Sequence, residues 1–178
     1  MVAGDKVTGS KRRKLILSML KKSNDPLSGK KLAENMGVSR QVIVQDVSLL
    51  KAKGEPIIAT ARGYILFKEG NDASGFTRVI AVSHGLEDTV SELYTLVDHG
   101  VTIKNVMVEH PIYGDLTGSL MIKNRHEVDE FVKDLKKSGA ALLSDLTNGV
   151  HLHTIEAATE EQLKKACAQL EELGILLK

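Results

Sequence analysis

The sequence predicts an α+β chain in two modules: a winged helix-turn-helix over residues 1–68 and, after a short linker at 69–75, a βαββαβα open-faced sandwich over 76–178. Three observations predict it. Before residue 68, three short helical stretches with caps and a turn glycine between them run into an alternating hairpin. Beyond it, β-rich apolar runs alternate with helical periodicity. The charge changes sign at the same place. Residues 1–68 hold 14 Lys plus Arg and 5 acids, which leaves 10 and 18 for the rest, so a near-neutral chain has a cationic front and an anionic rear.

Residues 1–10 are polar and expected to fray. KRRKLILSMLKKS then carries Leu15, Ile16, Met19 and Leu20 on one stripe, and Asn24, Asp25 and Pro26 end the helix. Ser28 caps GKKLAENM, with Leu32, Ala33 and Met36 inward. Gly37 supplies the left-handed turn before the next helix, because glycine has no Cβ to clash there. Val38 plugs the space between the two helices. Ser39 caps that third helix, whose Ile43, Val47 and Leu50 recur at i, i+4, i+7 and mark its buried face. Gly54 and Pro56 stop it. IIATARGYILF alternates about Arg62-Gly63, the expected hairpin tip.

In the second module, Thr77–Ser83, Val101–Val108, Asp115–Ile122 and Val150–Ile155 read as strands. Helices are expected over Leu86–Asp98, Arg125–Lys137 and Thr159–Leu173, the last with Thr159 and Gln162 at capping-box spacing. Helices would cover one side of a mainly antiparallel sheet.

No apolar run reaches the ~18 residues a membrane span needs, and no signal peptide precedes the first helix. The single cysteine, Cys167, fits a reducing, cytoplasmic setting and reads as a small buried residue beside Leu163 and Leu170. Trp is absent and aromatic residues are few, so stacking of single-stranded nucleic acid finds little support.

Two sets of residues carry chemistry. On the third helix, Arg40, Gln41, Val44 and Gln45 lie off the buried face near its N-terminus, where a recognition helix presents side chains to the major groove. Arg pairs bidentately with guanine, Gln with adenine, and Val touches a thymine methyl. Lys51, Lys53 and Arg62 can hold phosphates on either side. An ordinary surface helix would share the periodicity but not the surrounding caps and spacing.

The second set is histidine-rich. All six histidines follow residue 83. His151 and His153 flank Leu152 on a strand, so both imidazoles face one side. His84 sits just past the first strand, and Glu92 is expected two turns along the next helix. Three neutral imidazoles and a carboxylate suit one borderline divalent ion such as zinc, nickel or iron. His110 opens the HPIYG loop, where Tyr113 offers a hydroxyl; both are candidate contacts for a small ligand. His99 and His126 read as a helix C-terminal cation and a surface residue.

The stretch VSRQVIVQD, with HPIYG and GVHLHTI downstream, resembles the niacin-responsive transcriptional repressor family over about residues 10–175. The resemblance implies a repressor of NAD-synthesis, salvage or niacin-uptake genes with nicotinic acid as co-repressor. It implies metal ligation at His84, Glu92, His151 and His153. A homodimer would match two operator half-sites on double-stranded DNA, and no membrane is involved. The alternatives are a direct metal-sensing regulator and a metal-dependent hydrolase using Glu109 or Asp115 as acid or base. No HExxH-type signature supports the latter.

Overall fold

The computed structural model describes residues 8–67 and 75–178. The N-terminal stretch through residue 7 and most of the expected linker lie outside the described residues. The chain divides into two compact units on either side of that linker stretch.

The first unit contains α1 (Gly9–Lys22), α2 (Gly29–Met36), α3 (Arg40–Ala52) and the antiparallel hairpin β1 (Ile57–Thr60) and β2 (Gly63–Leu66). The Ser28 hydroxyl accepts from the Lys31 amide at 3.1 Å, and Gly37 takes the left-handed conformation (φ 62°) between α2 and α3. Ile16, Leu20, Leu32, Ile43, Val47, Leu50 and Ile57 form the core, with Val38 packed against it. Leu15, expected on the inward stripe, is instead 41% exposed, because the buried arc of α1 narrows to Ile16 and Leu20. The wing tip is Ala61-Arg62 rather than Arg62-Gly63, since Gly63 already pairs with Thr60. Glycine is required at 63: φ is 134°, and a Cβ there would lie 2.3 Å from the Leu27 carbonyl oxygen. That close approach lets Leu27 bridge to Tyr64 and joins the wing to the segment before α2.

Asp46 is the unforeseen feature of α3. It is 2% exposed and receives Arg12 Nε at 2.5 Å and Arg13 Nη1 at 3.0 Å from α1. Two of the cationic residues of the front half thus brace α3 against α1.

The second unit is β3 (Phe76–Ser83), α4 (Thr89–Asp98), β4 (Thr102–His110), β5 (Gly114–Ile122), α5 (Arg125–Ser138), β6 (Val150–Ala157) and α6 (Glu160–Glu172). The sheet runs β3-β6-β4-β5, antiparallel throughout. Alternation turns Ile80, Val82, Ile103, Ile122 and Ile155 inward against Leu93, Leu96, Val128, Leu163 and Leu170 of the helices. Val79 and Leu152 remain on the open face. Residues 175–177 cover the edge of β3, with Ile175 accepting from Ser83 N and Leu177 N donating to the Ala81 carbonyl. The capping box forms at α6: Thr159 Oγ1 accepts from Gln162 N, and Gln162 Oε1 accepts from Thr159 N.

Two details bear on the site. The expected helix from Leu86 splits into a 3-10 turn (Leu86–Asp88) followed by α4, which moves Glu92 into the first turn of the α-helix. The regular pairing of β4 breaks between Ile103 and Asn105 on both of its sides, and Met121 opposite adopts a positive φ of 58°.

Candidate functional site

Three elements meet on the helix-covered side of the sheet. β3 ends at Ser83 and delivers His84. The first turn of α4 delivers Glu92, where the positive end of the helix dipole favours a carboxylate. β6 delivers His151 and His153 on its inward face, 4% and 2% exposed. Glu92 is 1% exposed. Its Oε2 lies 2.8 Å from His84 Nε2 and 3.6 Å from His151 Nε2, and its Oε1 lies 3.3 Å from His153 Nε2. His84, Glu92 and His151 offer ligand atoms that all lie within 4.8 Å of one another.

The backbone fixes which imidazole nitrogen faces the centre. His84 Nδ1 is 2.7 Å from the Gly85 carbonyl oxygen, His151 Nδ1 is 2.9 Å from that of Gly149, and His153 Nδ1 is 2.6 Å from that of Asn105. A carbonyl oxygen only accepts, so each Nδ1 carries a proton and each Nε2 faces the centre, where His84 Nε2 donates to Glu92 Oε2. Three Nε2 atoms thus converge on a carboxylate, and with those nitrogens deprotonated the set is complementary to a cation. Burial alone would raise the Glu92 carboxyl, but His151, His153 and His84 outweigh it and hold it well below the usual carboxylate range. Burial lowers the His84 imidazole, while the bonds to Glu92 and Gly85 and the charges of Glu92 and Asp88 leave it raised.

These residues fit a divalent metal. Glu92 Oε1 and His153 Nε2 are buried without a hydrogen-bond partner, their 3.3 Å approach lacking hydrogen-bond geometry. Orphaned buried polar atoms are costly, and a shared cation satisfies both. Backbone carbonyls behind the imidazoles are the usual outer support of metal-ligating histidines.

A cleft of about 350 Å³, counting its open mouth, adjoins the four residues. Leu93, Val106, Leu120, Phe131, Leu142 and Leu143 form its apolar wall. Thr89, whose Oγ1 is buried without a hydrogen-bond partner, also lines it. His110 and Tyr113 do not. β4 runs two residues further than expected, to His110, and the turn after it is solvent-exposed: Tyr113 is 73% exposed. His110 Nδ1 accepts from the amides of Ile112 and Tyr113, so this imidazole rigidifies its own turn. Leu142 and Leu143 escaped sequence reading because the 3-10 turn they enter (Leu143–Thr147) has no periodicity to mark it. Thr89 was legible only as a polar residue near a helix start.

On the first unit, Ser39 Oγ accepts from Val42 N at 3.4 Å and opens α3. Arg40, Gln41 and Gln45 are exposed beyond it, Val44 is half-buried, and Lys51 is exposed at the far end. Arg62 is half-buried at the wing tip, its amide donating to Thr60 Oγ1. The six residues other than Arg62 lie on α3 or cap it, and their polar members face away from the core.

A 3H domain model matches residues 77–178, and an HTH domain model matches 12–65. The transcription repressor NadR of Bacillus subtilis is 50% identical over 174 residues, 97% of each chain. The probable transcription repressor NiaR of Thermotoga maritima is 41% identical over 172 residues, again 97% of each.

The chain belongs to the NiaR-type repressor family.

A NiaR-type chain is a DNA-binding transcription regulator and not an enzyme, which removes the hydrolase alternative. Its helix-turn-helix unit acts on operator DNA. Among the described residues, no helix is long and apolar enough to cross a membrane.

Proposed function

We propose that the chain is a niacin-responsive repressor of NAD-synthesis, salvage or niacin-uptake genes, working as a homodimer on two operator half-sites. The observation that carries the reading is the convergence of three inward Nε2 atoms and one carboxylate beside an apolar cleft. His84, Glu92, His151 and His153 would hold one zinc, nickel or iron ion. Such an ion supplies a Lewis-acidic position suited to the carboxylate of nicotinic acid. The chain's own residues do the rest. Leu93, Val106, Phe131 and Leu143 pack on a flat ring and exclude water. Thr89 Oγ1 can donate to a pyridine nitrogen. Ser39 opens α3, whose Arg40, Gln41, Val44 and Gln45 read base edges while Lys51 and Arg62 hold phosphates.

The ligand shifts the operator equilibrium only by as much as it prefers the binding-competent geometry. The test is operator titration with and without nicotinic acid, using protein before and after chelation. Tighter binding with the acid, lost on chelation and restored by metal, is expected. Affinity that follows the metal and ignores the acid would identify a metal sensor instead. Indifference to both would end the reading.

A further inference from the structure

We propose that Asn105 is a positioning residue for the histidine–carboxylate centre: its carbonyl sets the tautomer of His153, and its side chain holds the β-bulge that aims that carbonyl. The inference rests on the reading of the centre as a cation site, but its first test does not need a cation.

β4 is the strand between β6 and β5, and its register slips between Ile103 and Asn105 against both neighbours. A regular ladder would keep strand carbonyls directed along the sheet, toward neighbouring amides. At this step the Asn105 carbonyl oxygen lies 2.6 Å from His153 Nδ1. The same residue's Oδ1 accepts from the Thr154 amide at 3.0 Å, on the residue next to His153. One residue therefore makes two bonds across the irregular step, one to the ring and one to the backbone that carries it. Bulges re-aim groups near functional sites. The residue opposite the slip, Met121, holds a left-handed φ of 58°, which a non-glycine residue adopts only when its surroundings impose it.

Asparagine suits the task because it offers a neutral acceptor one carbon from Cβ. Alanine offers none. Threonine favours strands but its hydroxyl is too short to reach. Aspartate keeps the acceptor. Of the three histidines, His84 bonds to the carbonyl of its next neighbour and His151 to one two residues back. His153 depends on a carbonyl 48 residues away in sequence, so its orientation is the one that a distant substitution can undo.

The experiment uses the full-length chain, 15N-labelled and metal-free, at a pH above the imidazole range. Long-range 1H–15N imidazole spectra read the His153 tautomer directly. Wild type and Asn105→Asp should show the Nδ1–H form. Asn105→Ala and Asn105→Thr should show an increased Nε2–H fraction, with two variants so that one folding failure does not remove the test. Zinc affinity by competition with a chromogenic chelator should fall ~10–100-fold in the Ala and Thr variants, the range seen when outer support of a ligand is lost. The Asp variant should stay within a few-fold of wild type. An unchanged His153 tautomer and unchanged zinc affinity in a folded Ala or Thr variant would overturn the proposal. Failure of wild type to bind zinc, nickel or iron would instead overturn the cation reading, while the tautomer comparison still decides the role of Asn105.

Discussion

Glu92 is the residue on which the centre balances. It is buried, faces three imidazoles, and leaves one oxygen without a hydrogen bond. Glu92→Gln keeps the shape but replaces an anion by an amide. Its expected result is loss of ion binding by elemental analysis, with the fold retained by circular dichroism. Ala at both His151 and His153 should likewise leave the purified protein without metal, and full occupancy in that double variant would refute the site. Protons compete with metal for the same Nε2 atoms, so occupancy should fall as pH drops through the imidazole range. At His84 the competition begins higher than for an ordinary histidine. Burial lowers the His84 imidazole, but its bonds to Glu92 and Gly85 outweigh that and leave it raised. Thr89→Val removes the buried hydroxyl of the cleft while preserving volume. It should weaken the nicotinic acid response by about 1 kcal/mol, up to about tenfold, in calorimetric titration with metal occupancy unchanged.

Elements bring these side chains together, and turns set where the elements end. Gly149 shows how. It precedes β6, has φ 92°, and a Cβ there would lie 2.4 Å from the His84 carbonyl oxygen. Its own carbonyl oxygen accepts from the His84 amide and from His151 Nδ1. Gly149→Ala would push β6 away from the end of β3. The expected cost is ~2 kcal/mol or more from left-handed strain and collision, read as a lowered Tm together with loss of metal. In the first unit, Asp46→Ala removes the ion pairs that Arg12 and Arg13 make to α3. Because both arginines keep some solvent contact, the destabilisation should approach ~2 kcal/mol, below the ~3–5 of a fully buried pair, and denaturant unfolding checks it. These elements were unevenly legible. His151 and His153 share a face because strands alternate, so the H-x-H spacing announced them. Ser28, Gly37 and Ser39 announced the helix boundaries. The β4 bulge, the brace on Asp46 and the Leu143–Thr147 turn each depend on contacts between segments distant in sequence or on irregular backbone, and neither leaves a period to read. His110 and Tyr113 lie outside the cleft's lining, and His110 Nδ1 accepts from amides of its own turn.

The whole chain divides its labour by charge. The stretch to residue 68 carries 14 basic residues against 5 acids, and the remainder is acidic. Operator affinity should therefore fall steeply with salt, by a log–log slope of about −0.9 per phosphate neutralised. Asp46 tempers that count, since it binds Arg12 and Arg13 within the unit and makes their charge partly internal. Two kinds of substitution should then separate in binding assays across salt concentrations. Lys51→Ala and Arg62→Ala, if they lose phosphate contacts, should weaken operator and unrelated duplexes alike and lower the slope by about one. If they read base edges as proposed, Arg40→Ala and Gln41→Ala should keep more of the non-specific binding but lose ~1–3 kcal/mol of discrimination against altered operators. Variants of the cleft such as Thr89→Val should leave both slope and discrimination untouched and change only the response to nicotinic acid. A cleft variant that altered the salt slope without ligand would mean that the acidic unit itself meets DNA, contrary to the separation its charge implies.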